Sequence, residues 1–271
     1  MGGAIAAAVG LGGTLTAEAL AADTSDGASP DAPPSGTPTT TESCYVLTSE
    51  AVEGPYYLGM EQFRSDIREG QEGIPLTLRL KVIDAATCEP VRNAAVDVWQ
   101  CTAMGIYSGF EALDPSVPPP PGQQGSTDAE RYLRGTWKTD KGGHVQFKSI
   151  FPGWYVGRTV HIHVKVHVDG TWTDTGYEGG HVCHTGQLFF DESAVLRTAQ
   201  LEPYSTNTTV RTTLDEDRFY SDNGHEGGLL FLDFDTRNIA RGVRATLTMG
   251  VAPESTPPPT IPQPQPTASA S

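Results

Sequence analysis

The chain has 271 residues, among them 30 glycines and 21 prolines, and a formal net charge of −15 at pH 7. That acidity repels nucleic acid phosphates and anionic membrane surfaces, which counts against both as partners. Once both ends are discounted, about 200 residues remain, enough for one domain with a sizeable core.

Residues 1–22, MGGAIAAAVGLGGTLTAEALAA, are small and apolar and read as the core and cleavage region of an export signal whose basic leading segment is missing. A secreted, extracellular protein is the expectation, with no membrane attachment in the mature form. Residues 23–42 are rich in Ser, Thr, Pro and Asp and cannot bury enough apolar surface to order, so they form a linker. The folded domain is placed at 43–252, and 253–271 form a disordered proline-rich tail. Whether that tail once joined a further C-terminal module stays open, as does a homodimer.

Within the domain the period-2 signal dominates. Leu76, Leu78, Leu80 and Val82 alternate with Thr77, Arg79 and Lys81, giving a half-buried strand. Strands follow in AAVDVWQC, GTWKTD, GHVQFKSI, TVHIHVKVHV, GQLFFD, GLLFLDF and RATLTMGV, with one short helix around Glu192 to Gln200. The fold class is therefore all-β: an antiparallel β-sandwich of about eight strands with long loops and at most short helices. Cys44, Cys88, Cys101 and Cys183 form no CxxC pair, which argues against a zinc ribbon or a thioredoxin motif. In an oxidising compartment they would form two disulfides, with three possible connectivities that the sequence does not separate; Cys44–Cys88 with Cys101–Cys183 is the expectation.

In TVHIHVKVHV, one face carries Val160, Ile162, Val164, Val166 and Val168 and the other His161, His163, Lys165 and His167. The Cα atoms of His161 and His163 should lie roughly 6 to 7 Å apart, close enough to share an ion, whereas His167 lies about 13 Å beyond His163. On the residues alone, two readings stand: a polar strand face, or two metal ligands. A cupin-like site would need a carboxylate four or five residues later, where His167 and Val168 stand and no Glu follows until Glu178. A two-histidine, one-carboxylate iron site finds no Asp or Glu suitably placed near the pair.

Three stretches taken together, EGPYY at 53–57, VWQCTAMGIYSG at 98–109 and PGWYVGRTVHIH at 152–163, resemble the intradiol ring-cleavage dioxygenases. The similarity spans roughly residues 50–250. It implies a non-haem Fe(III) held by Tyr107, Tyr155, His161 and His163, with Tyr155 also acting as a catalytic base. Arg158 resembles the family's catalytic substrate-side arginine, Gln187 its pocket glutamine, and Pro55 and Tyr56 the loop that covers the substrate. The implied substrates are catechol-type diols and O2, and the implied products cis,cis-muconate-type acids. The residue types suit that task. A phenol is neutral at pH 7 when free, and a trivalent cation stabilises its phenolate strongly.

This chain departs from the better-known intracellular members. Only five residues separate Tyr155 from His161, and the chain reads as exported, with four cysteines. It looks like the secreted, small-domain branch. Two alternatives come from other classes. CEPVRNAAVDVWQ resembles the strand-turn-strand opening of transthyretin-like binding modules, and a zinc hydrolase could use His161 and His163 with His181 or His184.

Overall fold

The computed structural model describes residues 44–258 except 61, 121, 122, 124, 225 and 226. The export signal at 1–22, the linker at 23–42 and most of the proline-rich tail lie outside the described residues.

Eight strands form two four-stranded sheets. They are Pro75–Asp84 (β1), Ala95–Trp99 (β2), Arg134–Lys138 (β3), His144–Ile150 (β4), His161–Trp172 (β5), Tyr177–Phe189 (β6), Phe231–Phe234 (β7) and Val243–Val251 (β8). One sheet runs in the order β4-β1-β8-β7, the other β3-β2-β5-β6. Every expected strand is present, and the helix is Glu192–Thr198 (α1), capped by the Asp191 side chain on the Ser193 amide. The sandwich is not wholly antiparallel, because β1 and β8 pair in parallel from Leu76↔Val243 to Asp84↔Val251. Strand period specifies faces but carries no information on partner direction.

Leu76, Leu78, Leu80 and Val82 of β1 meet Val96 and Val98 of β2 and the Ile162–Val168 stripe of β5 in one buried cluster. Each such side chain contributes about 1.5–3 kcal/mol on burial, which makes this cluster the main source of stability. A sandwich strand normally leaves its second face wet, but β5 is buried on both faces from His161 to Val168. The segment 50–58 supplies part of the cover. Ala51 N donates to Thr185 O at 2.8 Å, Gln187 Nε2 donates to Val52 O at 3.0 Å, and Lys165 pairs with Glu53. The chemistry therefore sits on the outer face of the β3-β2-β5-β6 sheet, against a rigid floor.

Cys44 and Cys88 form a disulfide, which closes 44 residues of chain and restricts the unfolded state by about 4 kcal/mol on chain-entropy grounds. The other expected pair is absent: Cys101 and Cys183 are both free and buried. Register explains why. Strand β5 separates β2 from β6, and His167 bridges Ala95 to Val182, so Cys101 lies six residues, roughly 20 Å, along the strand from Cys183's level. The β5–β6 register shifts between Val166 and His167, and this bulge falls opposite Cys183, which joins the main core.

Candidate active site

The site begins with strand pairing. His163 lies opposite Trp99 of β2 and Gln187 of β6, and His161 lies opposite Phe189. The His163 ring stacks on the Trp99 indole with centroids 4.8 Å apart. His161 Nδ1 is 2.7 Å from Thr159 O and donates to it, which leaves Nε2 as a lone-pair donor. The two Nε2 atoms face each other at 3.1 Å.

Two loops bring in the tyrosines. Tyr155 follows β4, and its Oη lies 3.4 Å from His161 Nε2. Tyr107 follows β2, its ring 5.7 Å from Tyr155 and 6.2 Å from His163. These loops touch backbone to backbone: a Cβ on Gly153 would fall 2.1 Å from Ala103 O, and one on Gly105, at φ +82°, 2.3 Å from Trp154 O. Glycine at both positions is thus a condition for bringing Tyr107 to Tyr155.

Burial pushes the Tyr155 phenol up to about 12 and Tyr107 well above its ordinary value. Burial, and then the Arg158 charge, lowers His161 to about 3, and burial with the neighbouring His161 drives His163 well below its usual range. By themselves the four groups are neutral. Among the described residues the buried Tyr107 hydroxyl has no well-formed hydrogen bond. His161 Nε2 lies 3.4 Å from Tyr155 Oη and 3.1 Å from His163 Nε2, with the Tyr107 ring packed beside them. Ligands at roughly 2 Å from a cation and at right angles lie about 3 Å apart. The donor set therefore fits a hard cation, whose charge would reverse the penalty on phenolate formation.

Arg158 is 3% exposed and fully engaged. Its Nη1 donates to Tyr155 Oη at 3.3 Å, Nη2 to Gln187 Oε1, and Nε to Asp217 Oδ2 at 2.9 Å, with the Phe219 ring 4.4 Å from Cζ. Tyr56 stacks on Tyr107 at 4.5 Å and meets Tyr155 edge-on at 5.8 Å, while Pro55 is half-buried in the turn before it. Tyr107, Tyr155, His161, His163, Arg158, Gln187 and Tyr56 thus lie in or beside one cluster, with Pro55 next to Tyr56 in the chain.

Three contributors escaped sequence reasoning. In the sequence Trp99 stands only as part of the VWQ motif, yet it is the platform for His163. Arg134 donates to Tyr56 O at 2.7 Å, Ser108 O at 2.7 Å and Ser108 Oγ at 2.9 Å, stapling the Tyr56 and Tyr107 loops together. Asp217 comes from the irregular run DEDRFY, where no period marks it. Burial works to raise the Asp217 pKa, but the Arg158 charge and hydrogen bonds outweigh it and hold it below the usual carboxylate value.

The zinc alternative loses its third ligand. His184 pairs with Val166, on the inner face, and its Nδ1 lies 2.6 Å from Glu50 Oε1; His181 Nε2 is 2.9 Å from Pro253 O. Among the described residues no three His, Cys, Asp or Glu side chains converge as a metal site.

The β-sandwich gathers two tyrosines and two histidines on one outer face, and comparison supplies the family. The family profile described as Dioxygenase matches residues 52–174. The chain is 31% identical over 114 residues to a catechol 1,2-dioxygenase of Candida albicans, a match covering 40% of this chain and 33% of that protein. It matches the solved structure of an intradiol ring-cleavage dioxygenase from Tetranychus urticae with a TM-score of 0.68 and 32% identity, over 78% of this chain and 96% of the other. A hydroxyquinol 1,2-dioxygenase from Pseudomonas putida shares the fold at a TM-score of 0.50 and 16% identity, over 79% of this chain and 68% of its own. The chain belongs to the intradiol ring-cleavage dioxygenases, a family of oxidoreductases.

Proposed function

We propose that this protein is an exported, Fe(III)-dependent enzyme that opens catechol-type aromatic diols between their two hydroxyl-bearing carbons. One diol and one O2 give one cis,cis-muconate-type diacid, with both oxygen atoms retained in the product. The observation that carries this is the buried cluster in which the polar atoms of Tyr155, His161 and His163 meet and the Tyr107 ring packs against Tyr155 and His163. The Cys44–Cys88 disulfide supports export, since disulfides persist mainly in oxidising compartments.

Bound Fe(III) would supply Lewis acidity and a template for the diol. The chain's own residues do the rest. Tyr155 Oη is the ligand atom within reach of Arg158, so it is the one placed to take up a substrate hydroxyl proton. Arg158, a permanent cation in a buried site, stabilises the electron-rich form of the ring. Gln187 bonds the guanidinium on one side and Val52 O on the other, which fixes its aim relative to the cover. Tyr56 and Tyr107 present aromatic faces suited to a flat substrate and to excluding water.

Incubating iron-loaded protein with catechol under 18O2 tests this. The account requires a muconic acid carrying both labelled atoms and one O2 consumed per catechol. A ring-opened semialdehyde, or no O2 uptake, contradicts it.

A further inference from the structure

Arg158 reaches the site from a turn whose Tyr155 hydroxyl holds one end of the guanidinium at 3.3 Å, and the rest of this long side chain needs further partners. Its aim is set from elsewhere. Asp217 lies 59 residues downstream, is 1% exposed, and touches three separate parts of the centre. Its Oδ2 accepts Arg158 Nε at 2.9 Å and the Thr159 amide at 2.8 Å, and its Oδ1 accepts the Phe219 amide at 2.9 Å. Thr159 in turn supplies the carbonyl that holds His161 Nδ1 at 2.7 Å, and Phe219 supplies the ring that covers the guanidinium at 4.4 Å. One carboxylate therefore determines the direction of the arginine, the backbone that sets the histidine tautomer, and the lid over the arginine's face.

A purely structural role explains this poorly. A buried ion pair adds little net stability over an apolar replacement of similar shape. What it does add is geometry, because all three guanidinium nitrogens end on defined partners.

We propose that Asp217 is a positioning residue for ring cleavage: it aims Arg158 at the Tyr155 side of the substrate and, through Thr159, keeps His161 Nε2 turned toward the centre. This rests on the proposed reading of the site as an Fe(III) dioxygenase centre. Asn at this position, with its amide oxygen in the place of Oδ2, keeps the shape and the acceptor for Thr159 N and Arg158 Nε but removes the charge that holds the guanidinium and the acceptor for the Phe219 amide.

The test compares wild type, Asp217→Asn, Arg158→Ala and the double variant for iron content, visible charge-transfer absorption, kcat and KM. Asp217→Asn is expected to retain iron and colour, with a shifted band. Its kcat should fall about 10- to 100-fold with little change in KM. Adding it to Arg158→Ala should cost nothing further, since the two act as one unit. Wild-type kcat in Asp217→Asn, or losses that multiply in the double variant, overturns the proposal while leaving the dioxygenase reading intact. Colourless, inactive wild type overturns both. Should Asp217→Asn not fold, the Arg158 Nε–H resonance of wild-type protein decides. Slow hydrogen exchange supports the pairing, and rapid, solvent-like exchange overturns it.

Discussion

The His163 imidazole lies flat against the Trp99 indole, with planes 7° from parallel and centroids 4.8 Å apart. The two residues are register partners across β2 and β5, so strand pairing itself creates the stack. Tyr57 closes the assembly from another side, 4.6 Å from Trp99. As a ligand in the proposed iron site, a ring held in this way would lose little entropy when the cation binds.

Replacing the platform should therefore loosen the ligand. Trp99→Ala is expected to destabilise the fold by about 3–5 kcal/mol and to weaken iron retention. Trp99→Phe, which keeps an aromatic face, should retain most of it. Iron remaining after competition with a chelator, read beside the melting temperature, checks both.

Removing a ligand and removing the arginine should have different signatures. Tyr107→Phe lacks one phenolate and should lose iron and colour. Arg158→Ala keeps all four donors, so iron stays while turnover falls on the order of 100-fold or more. Metal analysis with steady-state kinetics separates the two. Equal metal contents would remove Tyr107 from the ligand set.

How much of this was legible in the chain depends on which physical feature encodes it. The alternation of Leu76 to Val82 and of Val160 to Val168 displays the inner faces directly, and the spacing of Tyr155, His161 and His163 displays most of the site. The same alternation misleads about the outer face of β5, because its cover comes from distant loops. It also hides the start of β6. Tyr177–Gly180 looks like a turn, yet β5 runs on to Trp172 and pairs with it, Gly170 leaving room for the Tyr177 ring. Asp217 and Arg134 gain their meaning only from tertiary contacts, so no local pattern announces them.

Asp97 makes stability depend on pH. It is buried beside β5, and burial raises its carboxyl to about 7 despite the 2.8 Å bond from Thr136. The folded state then keeps this proton to higher pH than the unfolded chain. Its contribution is most favourable near pH 4 and is lost as pH rises toward about 7. Asp97→Asn should accordingly gain more stability at pH 8 than at pH 5, on the order of 1 kcal/mol or more. Denaturant melts at the two values test it, and an equal effect at both contradicts it.

The cysteine arrangement has a simple count attached. Denatured but unreduced protein should expose two thiols, from Cys101 and Cys183, and reduction should raise this to four. A count of zero before reduction would restore the second disulfide.

The visible absorption spectrum of the purified, Fe(III)-loaded protein tests the central claim most directly. Tyrosinate bound to Fe(III) absorbs visible light, so the protein should be red-brown, its band should change on anaerobic addition of catechol, and each of Tyr107→Phe and Tyr155→Phe should diminish it. An iron-loaded protein that stays colourless, or whose colour survives both substitutions, would contradict the assignment.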